Sequence, residues 1–308
     1  MKILITGGAG YLGSMLTPKL LEQGHKVDVF DNLMWGSQSL FSVAGHKNFS
    51  LVVGDVRDEN NIKKLIKKAD CIVNLAAVVG FPACSAKTMD AKTTNLDAVG
   101  IITRNMSEDQ MIIQASTGST YGAVDGLCTE ETPINPLTLY GETKAKSEPL
   151  IYDVGGVCLR FATVFGLSPR MRLDLLVNDI VHQAVKFGTF VMYEGHARRT
   201  FLHSLDAVKS IQFTIDNYDS MKAEPFNIGD ESLNFTKGEI AKMIQKYHDY
   251  YLHEAEVGED KDKRDYSVSY EKIKNLGFKA DISMEDGIKE LIKVMPMITE
   301  ESMFRNYG

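Results

Sequence analysis

The sequence predicts an α/β fold in which helices cover both faces of a doubly wound parallel sheet. Two observations support it: short apolar runs typical of strands alternate with helical periodicity, and a glycine-rich turn joins the first strand to the first helix. The chain has 308 residues and 44% hydrophobic content, which is enough to bury a large core. Repeated strand–helix–strand order implies that the strands are parallel.

Six apolar runs are predicted to form the sheet, and apolar residues recur at helical spacing between several of them. The predicted strands cover residues 2–6, 26–30, 49–53, 71–75, 111–115 and 157–161. Beyond about residue 166 the alternation becomes irregular, and residues 246–266 are rich in charge and tyrosine. We therefore expect a sheet domain over 1–166, to which 196–216 return, and a smaller domain over 167–308.

Composition limits the possible environments and partners of the protein. The four cysteines (Cys71, Cys84, Cys128 and Cys158) lack paired or metal-type spacing and the seven histidines form no ligand-type cluster, so we expect reduced thiols and no metal. The opening "MKILIT" reads as a strand, and no run approaches the ~20 apolar residues of a membrane span. A net charge of −7 disfavours nucleic acid. We expect a cytoplasmic protein that does not cross a membrane.

The turn "TGGAGYLG", Thr6 to Gly13, directly follows the first predicted strand and precedes a helix. Its glycine spacing lets backbone amides approach a diphosphate at a helix N-terminus, although a tight turn without a ligand is the alternative. Asp31 closes the second strand 18 residues after Gly13, where a carboxylate would bind an adenosine ribose. The following "NLMWG" has no arginine or lysine for a 2′-phosphate, so NAD is favoured over NADP.

The hydroxyl-rich stretch "QASTGSTYG", residues 114–122, follows the fifth predicted strand. Ligands of such sheets bind at the carboxyl ends of the strands, so Thr117 or a neighbour should face the nicotinamide. Tyr140 and Lys144 come next and share one helix face, because they are four residues apart. An adjacent ammonium favours a phenolate, which makes Tyr140 a candidate base, with simple packing as the alternative.

The same tyrosine–lysine spacing recurs at Tyr218 with Lys222 and at Tyr270 with Lys274. Only Tyr140 starts a helix between the fifth and sixth strands. The other two pairs lie in the irregular half of the chain and are predicted to be surface pairs.

Taken together, "TGGAGYLG", "STGSTYG", "YGETK" and "RTFLHSLD" resemble the extended short-chain dehydrogenase/reductase family, specifically its nucleotide-sugar epimerases and dehydratases. The resemblance implies an NAD-binding Rossmann domain, a small carboxy-terminal domain for a nucleotide-diphosphate sugar, and a homodimer. The segments "RFATVFGLSPRMRLDLLVND" and "GEDKDKRDY" are similar to a bacterial group, including enzymes acting on GDP-heptoses, that serves surface-polysaccharide synthesis.

The resemblance also assigns individual site residues. Those that would bind NAD are Gly7, Gly10, Tyr11, Leu12, Gly13, Asp31, Asn32, Asp55, Val56, Leu75, Ala76, Ala77, Asn95, Tyr140 and Lys144. Those that would contact the sugar nucleotide are Thr117, Asn178, Arg199 and Arg264, with surface salt bridges as the alternative for both arginines. Thr163 and "GLSPRMR" depart from the family pattern, so Arg170 and Arg172 are either part of the substrate site or solvent-facing loop charges.

Thr117, Tyr140 and Lys144 are the predicted catalytic residues of a hydride transfer at C4 of the sugar. The resembled 4,6-dehydratases carry an Asp-Glu pair after the catalytic hydroxyl, decarboxylases keep the Glu, and 3,5-epimerases have a Cys, whereas Gly118 and Ser119 follow here. The chemistry is therefore expected to stop at C4, and C4 epimerisation through a 4-keto intermediate is the first hypothesis. Net C4 oxidation to a keto sugar is the alternative, and a non-catalytic dinucleotide-binding protein is the third hypothesis.

Overall fold

The computed structural model describes residues 1–124, 126–255, 266–299 and 304–306. The strands are β1 Lys2–Thr6, β2 Lys26–Asp31, β3 Phe49–Val53, β4 Cys71–Asn74, β5 Met111–Thr117, β6 Leu127–Cys128, β7 Val157–Phe161, β8 Thr163–Phe165, β9 Thr189–Met192, β10 Arg198–His203, β11 Pro225–Ile228, β12 Asn234–Thr236, β13 Tyr251–Glu254 and β14 Ser267–Val268. The helices are α1 Gly13–Glu22, α2 Glu59–Ile66, α3 Phe81–Ala86, α4 Thr88–Lys92, α5 Ala98–Arg104, α6 Leu139–Tyr152, α7 Leu176–Phe187, α8 Ser204–Asp216, α9 Tyr218–Met221, α10 Lys237–Gln245, α11 Glu271–Asn275 and α12 Met284–Val294.

A seven-stranded parallel sheet in the order β3–β2–β1–β4–β5–β7–β11 forms the centre of the fold. The direction of winding reverses between β1 and β4, and a crevice opens at the carboxyl ends of the strands at such a point. The predicted doubly wound sheet and all six predicted strands are confirmed. The seventh strand, β11, was not predicted.

Both faces of this sheet are covered, which explains why its strands are continuous apolar runs. On one face Ile3 and Ile5 of β1 belong to the same core cluster as Leu16 and Leu20 of α1. On the other face Leu4 lies in a cluster with apolar residues of α2 and α5. Successive β1 side chains thus enter opposite cores, as strand geometry requires.

A second hydrophobic core forms from the later part of the chain, between α7, α10 and α12 and the short strands beside them. Ile180, Phe201, Ile240 and Leu291 are buried in it. The chain then returns to the central sheet through α8 and β11. The proposed boundaries of the two domains remain a prediction. None of the helices described is both long enough and apolar enough to cross a bilayer.

Candidate functional site

A cavity of about 340 Å³ lies at the carboxyl ends of the central strands. Its walls come from the β1–α1 turn, the segments after β2, β3 and β4, the end of β5 and the start of α6. Most of the residues predicted for the cofactor or the chemistry line it, namely Gly7, Gly10, Tyr11, Leu12, Gly13, Asp31, Asn32, Asp55, Val56, Leu75, Ala76, Ala77, Thr117, Tyr140 and Lys144.

The glycine-rich turn is packed so closely that two of its glycines have no room for a side chain. Gly7 has φ +69°, and a Cβ there would lie 2.8 Å from the Ala76 nitrogen. A Cβ on Gly13 would lie 2.5 Å from the Gly7 oxygen. The turn therefore holds the cavity wall against the first turn of α1, where backbone amides and the helix dipole favour an anion. This arrangement fits the diphosphate of a dinucleotide.

Asp31 lies at the end of β2 with its carboxylate held in place by two backbone amides. It accepts hydrogen bonds from Ala9 at 2.9 Å and from Leu33 at 2.8 Å. Burial raises the pKa of this carboxyl above its usual value, while the two hydrogen bonds oppose that change. The orientation is fixed before a ligand arrives, which suits recognition of ribose hydroxyls.

Asp55 and its neighbour Arg57 form the adjoining wall of the cavity. The Arg57 guanidinium lies 2.6 Å from the Asp55 carboxylate and 2.8 Å from that of Asp90. Hydrogen bonding to Arg57 lowers the pKa of Asp55. Arg57 was not predicted, although its position two residues after Asp55 was a usable signal. Its guanidinium is engaged by two carboxylates.

The hydroxyl candidate Thr117 ends β5 and faces the cavity. Its Oγ1 accepts a hydrogen bond from the Ser119 nitrogen at 3.2 Å and lies 3.1 Å from the Ser119 hydroxyl. Ser116, one residue earlier, donates a 2.6 Å hydrogen bond to the buried Glu148. Side-chain contacts thus fix the end of this strand on both sides.

Tyr140 and Lys144 occupy the first two turns of α6, on the same side of the cavity as Thr117. Thr138 caps this helix by accepting a hydrogen bond from the Gly141 nitrogen. Lys144 is 2% exposed, and its Nζ donates to the Ala115 oxygen at 2.8 Å. Burial lowers the pKa of Lys144 to about 8.

A buried ion pair that the sequence did not predict supports these elements from behind. Arg160 of β7 lies 2.7 Å from the Glu148 carboxylate, and both side chains are almost completely buried. Glu148 lies one turn after Lys144 and also accepts the Ser116 hydroxyl. The pair therefore ties β5, α6 and β7 together directly behind the predicted catalytic side chains.

Three predicted site residues do not line the cavity, and a fourth lies outside the residues that the structure describes. Asn95 holds the wall segment at Val78 through hydrogen bonds of 2.8 and 2.9 Å. Asn178 bonds the backbone of residues 166 and 172, at 2.9 Å in each case. Arg199 is buried and donates to the Arg198 oxygen at 3.0 Å. Arg264 lies outside the residues that the structure describes.

The expected exposure of two tyrosines is wrong, and one of the two alternatives for Arg170 and Arg172 is excluded. Tyr218 and Tyr270, predicted as parts of surface pairs, are buried, and the Tyr218 hydroxyl contacts the Ile112 nitrogen at 3.0 Å. Neither tyrosine lines the cavity. Arg170 and Arg172 are not solvent-facing loop charges, because both are buried and line the cavity.

Comparison with known proteins shows the family. Residues 3–229 match the NAD dependent epimerase/dehydratase family. The low-salt glycan biosynthesis protein Agl12 of Haloferax volcanii is 27% identical, over 95% of this chain and 97% of that protein. A putative UDP-glucose 4-epimerase of Methanocaldococcus jannaschii is 26% identical, over 95% and 98%.

A solved structure, UDP-glucuronic acid 4-epimerase from Bacillus cereus in complex with UDP-glucuronic acid and NAD, shares the fold with a TM-score of 0.85. It is 22% identical, and the match covers 96% of this chain and 99% of that one. The family match covers the glycine-rich turn, Asp31 and the Thr117–Tyr140–Lys144 group of the cavity. The chain therefore belongs to the NAD dependent epimerase/dehydratase family, and NAD is its cofactor.

Proposed function

We propose that this chain is a nucleotide-sugar C4 epimerase that works through a 4-keto intermediate. One observation supports this most directly: Thr117, Tyr140 and Lys144 share a cavity with the dinucleotide turn, and no acidic side chain stands beside Thr117 among the described lining residues. The relatives named as 4-epimerases agree with this function. A homodimer remains a prediction.

The proposed roles follow from the positions of the three side chains. NAD, when bound, supplies a nicotinamide that takes up a hydride and returns it. Tyr140 removes the proton from the C4 hydroxyl, and Thr117 orients that hydroxyl. The Lys144 ammonium favours the phenolate form of Tyr140. After the keto sugar rotates in the cavity, return of the hydride to the opposite face of C4 inverts that carbon, and the same tyrosine returns the proton to the C4 oxygen.

Acidic groups of the cavity are in the wrong place for elimination of water from the sugar. The acidic residues described in its lining are Asp31, Asp55 and Asp90. Asp31 lies at the end of β2, and Asp55, after β3, and Asp90 both pair with Arg57. Glu148 is buried behind the wall and engaged by Arg160. Serine is too weak an acid to replace a carboxyl group. The chemistry is therefore proposed to stop at C4.

The test is turnover of a panel of nucleotide sugars in deuterated water, followed by mass spectrometry and NMR. We expect a C4 epimer that retains its 6-hydroxyl and carries no enzyme-catalysed deuterium at C3 or C5. Stoichiometric NADH with a stable 4-keto sugar would instead identify a net dehydrogenase. A 4-keto-6-deoxy product, or catalysed deuterium at C5, would refute the assignment.

Asp31 is proposed to set the preference for NAD over NADP, because a fixed carboxylate repels a 2′-phosphate. Replacing it with Ala should narrow that preference by about tenfold or more, the loss expected for a hydrogen bond to a charged group. Calorimetric titration with both cofactors measures the change. Asp31→Asn is the control that keeps the shape of the side chain. Equal affinity of the unmodified protein for NAD and NADP would contradict this role.

A further inference from the structure

Arg170 is a buried cation in the segment between β8 and α7. The residue is 4% exposed and lines the cavity. The neighbouring Arg172 pairs with Asp174 at 2.5 Å, whereas no carboxylate forms an ion pair with Arg170 among the described residues. Taking a charge out of water without a counter-ion is costly. The arrangement is that of a site completed by an anionic ligand.

The hydrogen bonds of Arg170 also leave capacity for a ligand. One terminal nitrogen donates to the Met171 oxygen, and the other lies 2.9 Å from the Asn306 side chain. The buried Nε has no hydrogen-bond partner in the described structure. Burial and the nearby charge of Arg172 lower the pKa of Arg170 to about 10, although the charge of Asp174 opposes this change. Arg170 is therefore still charged at neutral pH.

The surroundings of Arg170 belong to the dinucleotide end of the cavity. Its guanidinium lies over the ring of Trp35, 5.0 Å from the ring centre, and Trp35 follows Asp31 in the loop after β2. The Ser168 hydroxyl accepts a hydrogen bond from the backbone nitrogen of Arg170 at 3.2 Å and donates one to the backbone oxygen of Tyr11 at 2.6 Å. Ser168 also contacts Ser14 in the first turn of α1 at 3.2 Å.

We propose that Arg170 binds the diphosphate of NAD together with the glycine-rich turn. The turn and the N-terminus of α1 supply backbone amides, and Arg170 adds a full positive charge from a distant part of the chain. Trp35 holds the guanidinium in place by a cation–π contact. A sugar nucleotide also carries a diphosphate, but the contact of Arg170 with Trp35 and those of Ser168 with Tyr11 and Ser14 favour the cofactor. This assignment does not depend on which sugar reaction occurs.

Calorimetric titration of cofactor-free protein distinguishes binding of the NAD diphosphate from binding of the diphosphate of a sugar nucleotide. Arg170→Met should weaken NAD binding by about ten- to a hundredfold, the loss typical of a charged hydrogen bond, and should leave adenosine binding unchanged. Arg170→Lys should recover part of the loss. Arg104→Gln removes the same charge from an exposed ion pair outside the cavity and should have no effect. Unchanged NAD affinity with weakened UDP binding would overturn the proposal and place Arg170 at the substrate.

Thermal unfolding separates ligand binding from a structural role. An unpaired buried charge is costly, so cofactor-free Arg170→Met should have the same or a higher Tm despite losing the hydrogen bonds to Met171 and Asn306. The rise in Tm that saturating NAD produces should be smaller in this variant than in the unmodified protein. A lower Tm without NAD, combined with an unchanged NAD-induced rise, would show that Arg170 only supports the fold.

Discussion

Replacing Tyr140 with Phe is expected to lower turnover by about 10²- to 10⁴-fold, the range typical of general acid–base groups. The change removes one phenolic oxygen from the cavity wall and leaves the ring in place. Folding and NAD binding should therefore survive, because neither depends on proton transfer. Single-turnover reduction of bound NAD by a substrate measures the effect at the step concerned.

The two other tyrosines with the same spacing to lysine provide matched controls. Tyr218→Phe and Tyr270→Phe should keep turnover within a few-fold, since neither side chain lines the cavity. Tyr218→Phe should nevertheless cost about 1–3 kcal/mol of stability, because it leaves the buried Ile112 nitrogen without this partner. If either control abolished turnover while Tyr140→Phe stayed active, the choice of base would be wrong.

Replacing Lys144 with Met is expected to reduce turnover by at least about a hundredfold while leaving the cofactor-free fold more stable at neutral pH. Burial lowers the pKa of Lys144 from 10.5 to about 8. Below pH 8 the folded state must carry this buried charge. Between pH 8 and 10.5 the folded state loses the proton before the unfolded state does, so stability increases with pH. At pH 7 the buried charge of Lys144 lowers the free energy of unfolding by an amount on the order of 3 kcal/mol.

Denaturant unfolding of both proteins at pH 7 and pH 9.5 measures this coupling. The unmodified protein should gain stability relative to Lys144→Met as the pH rises. The free energies of unfolding of the two proteins should therefore differ less at pH 9.5 than at pH 7. The difference between the proteins isolates Lys144 from other titrating groups. A variant that is less stable at pH 7, with the same pH dependence as the unmodified protein, would show that the charge carries no such penalty.

The elements that could be predicted are those with a signal in their own short stretch of sequence. The strands in the middle of the sheet are apolar because both their faces are buried, and Gly7 and Gly13 mark a turn that only glycine can form. Strand β11 has only four residues and begins with a proline, so it carries no comparable signal. Its strand character comes from pairing with β7, far away in the sequence.

Site residues were predictable where the backbone alone sets their direction. Asp31, Thr117 and Tyr140 follow strand ends or begin a helix, so sheet topology brings them to one cavity. Asn178 and Arg199 sit in elements whose side chains could point several ways, and neither lines the cavity. The Glu148–Arg160 pair forms between residues that only the tertiary fold brings together. No local pattern indicates such a contact.

Trp35 is the single tryptophan of the chain, and it lies in the wall of the cofactor cavity beneath Arg170. Its ultraviolet emission therefore comes from one position next to the proposed dinucleotide site, with no background from other indoles. Reduced nicotinamide absorbs light in the range where tryptophan emits, whereas the oxidised ring does not. With the cofactor in the proposed site, Trp35 emission is expected to distinguish reduced from oxidised cofactor during turnover, without any added label.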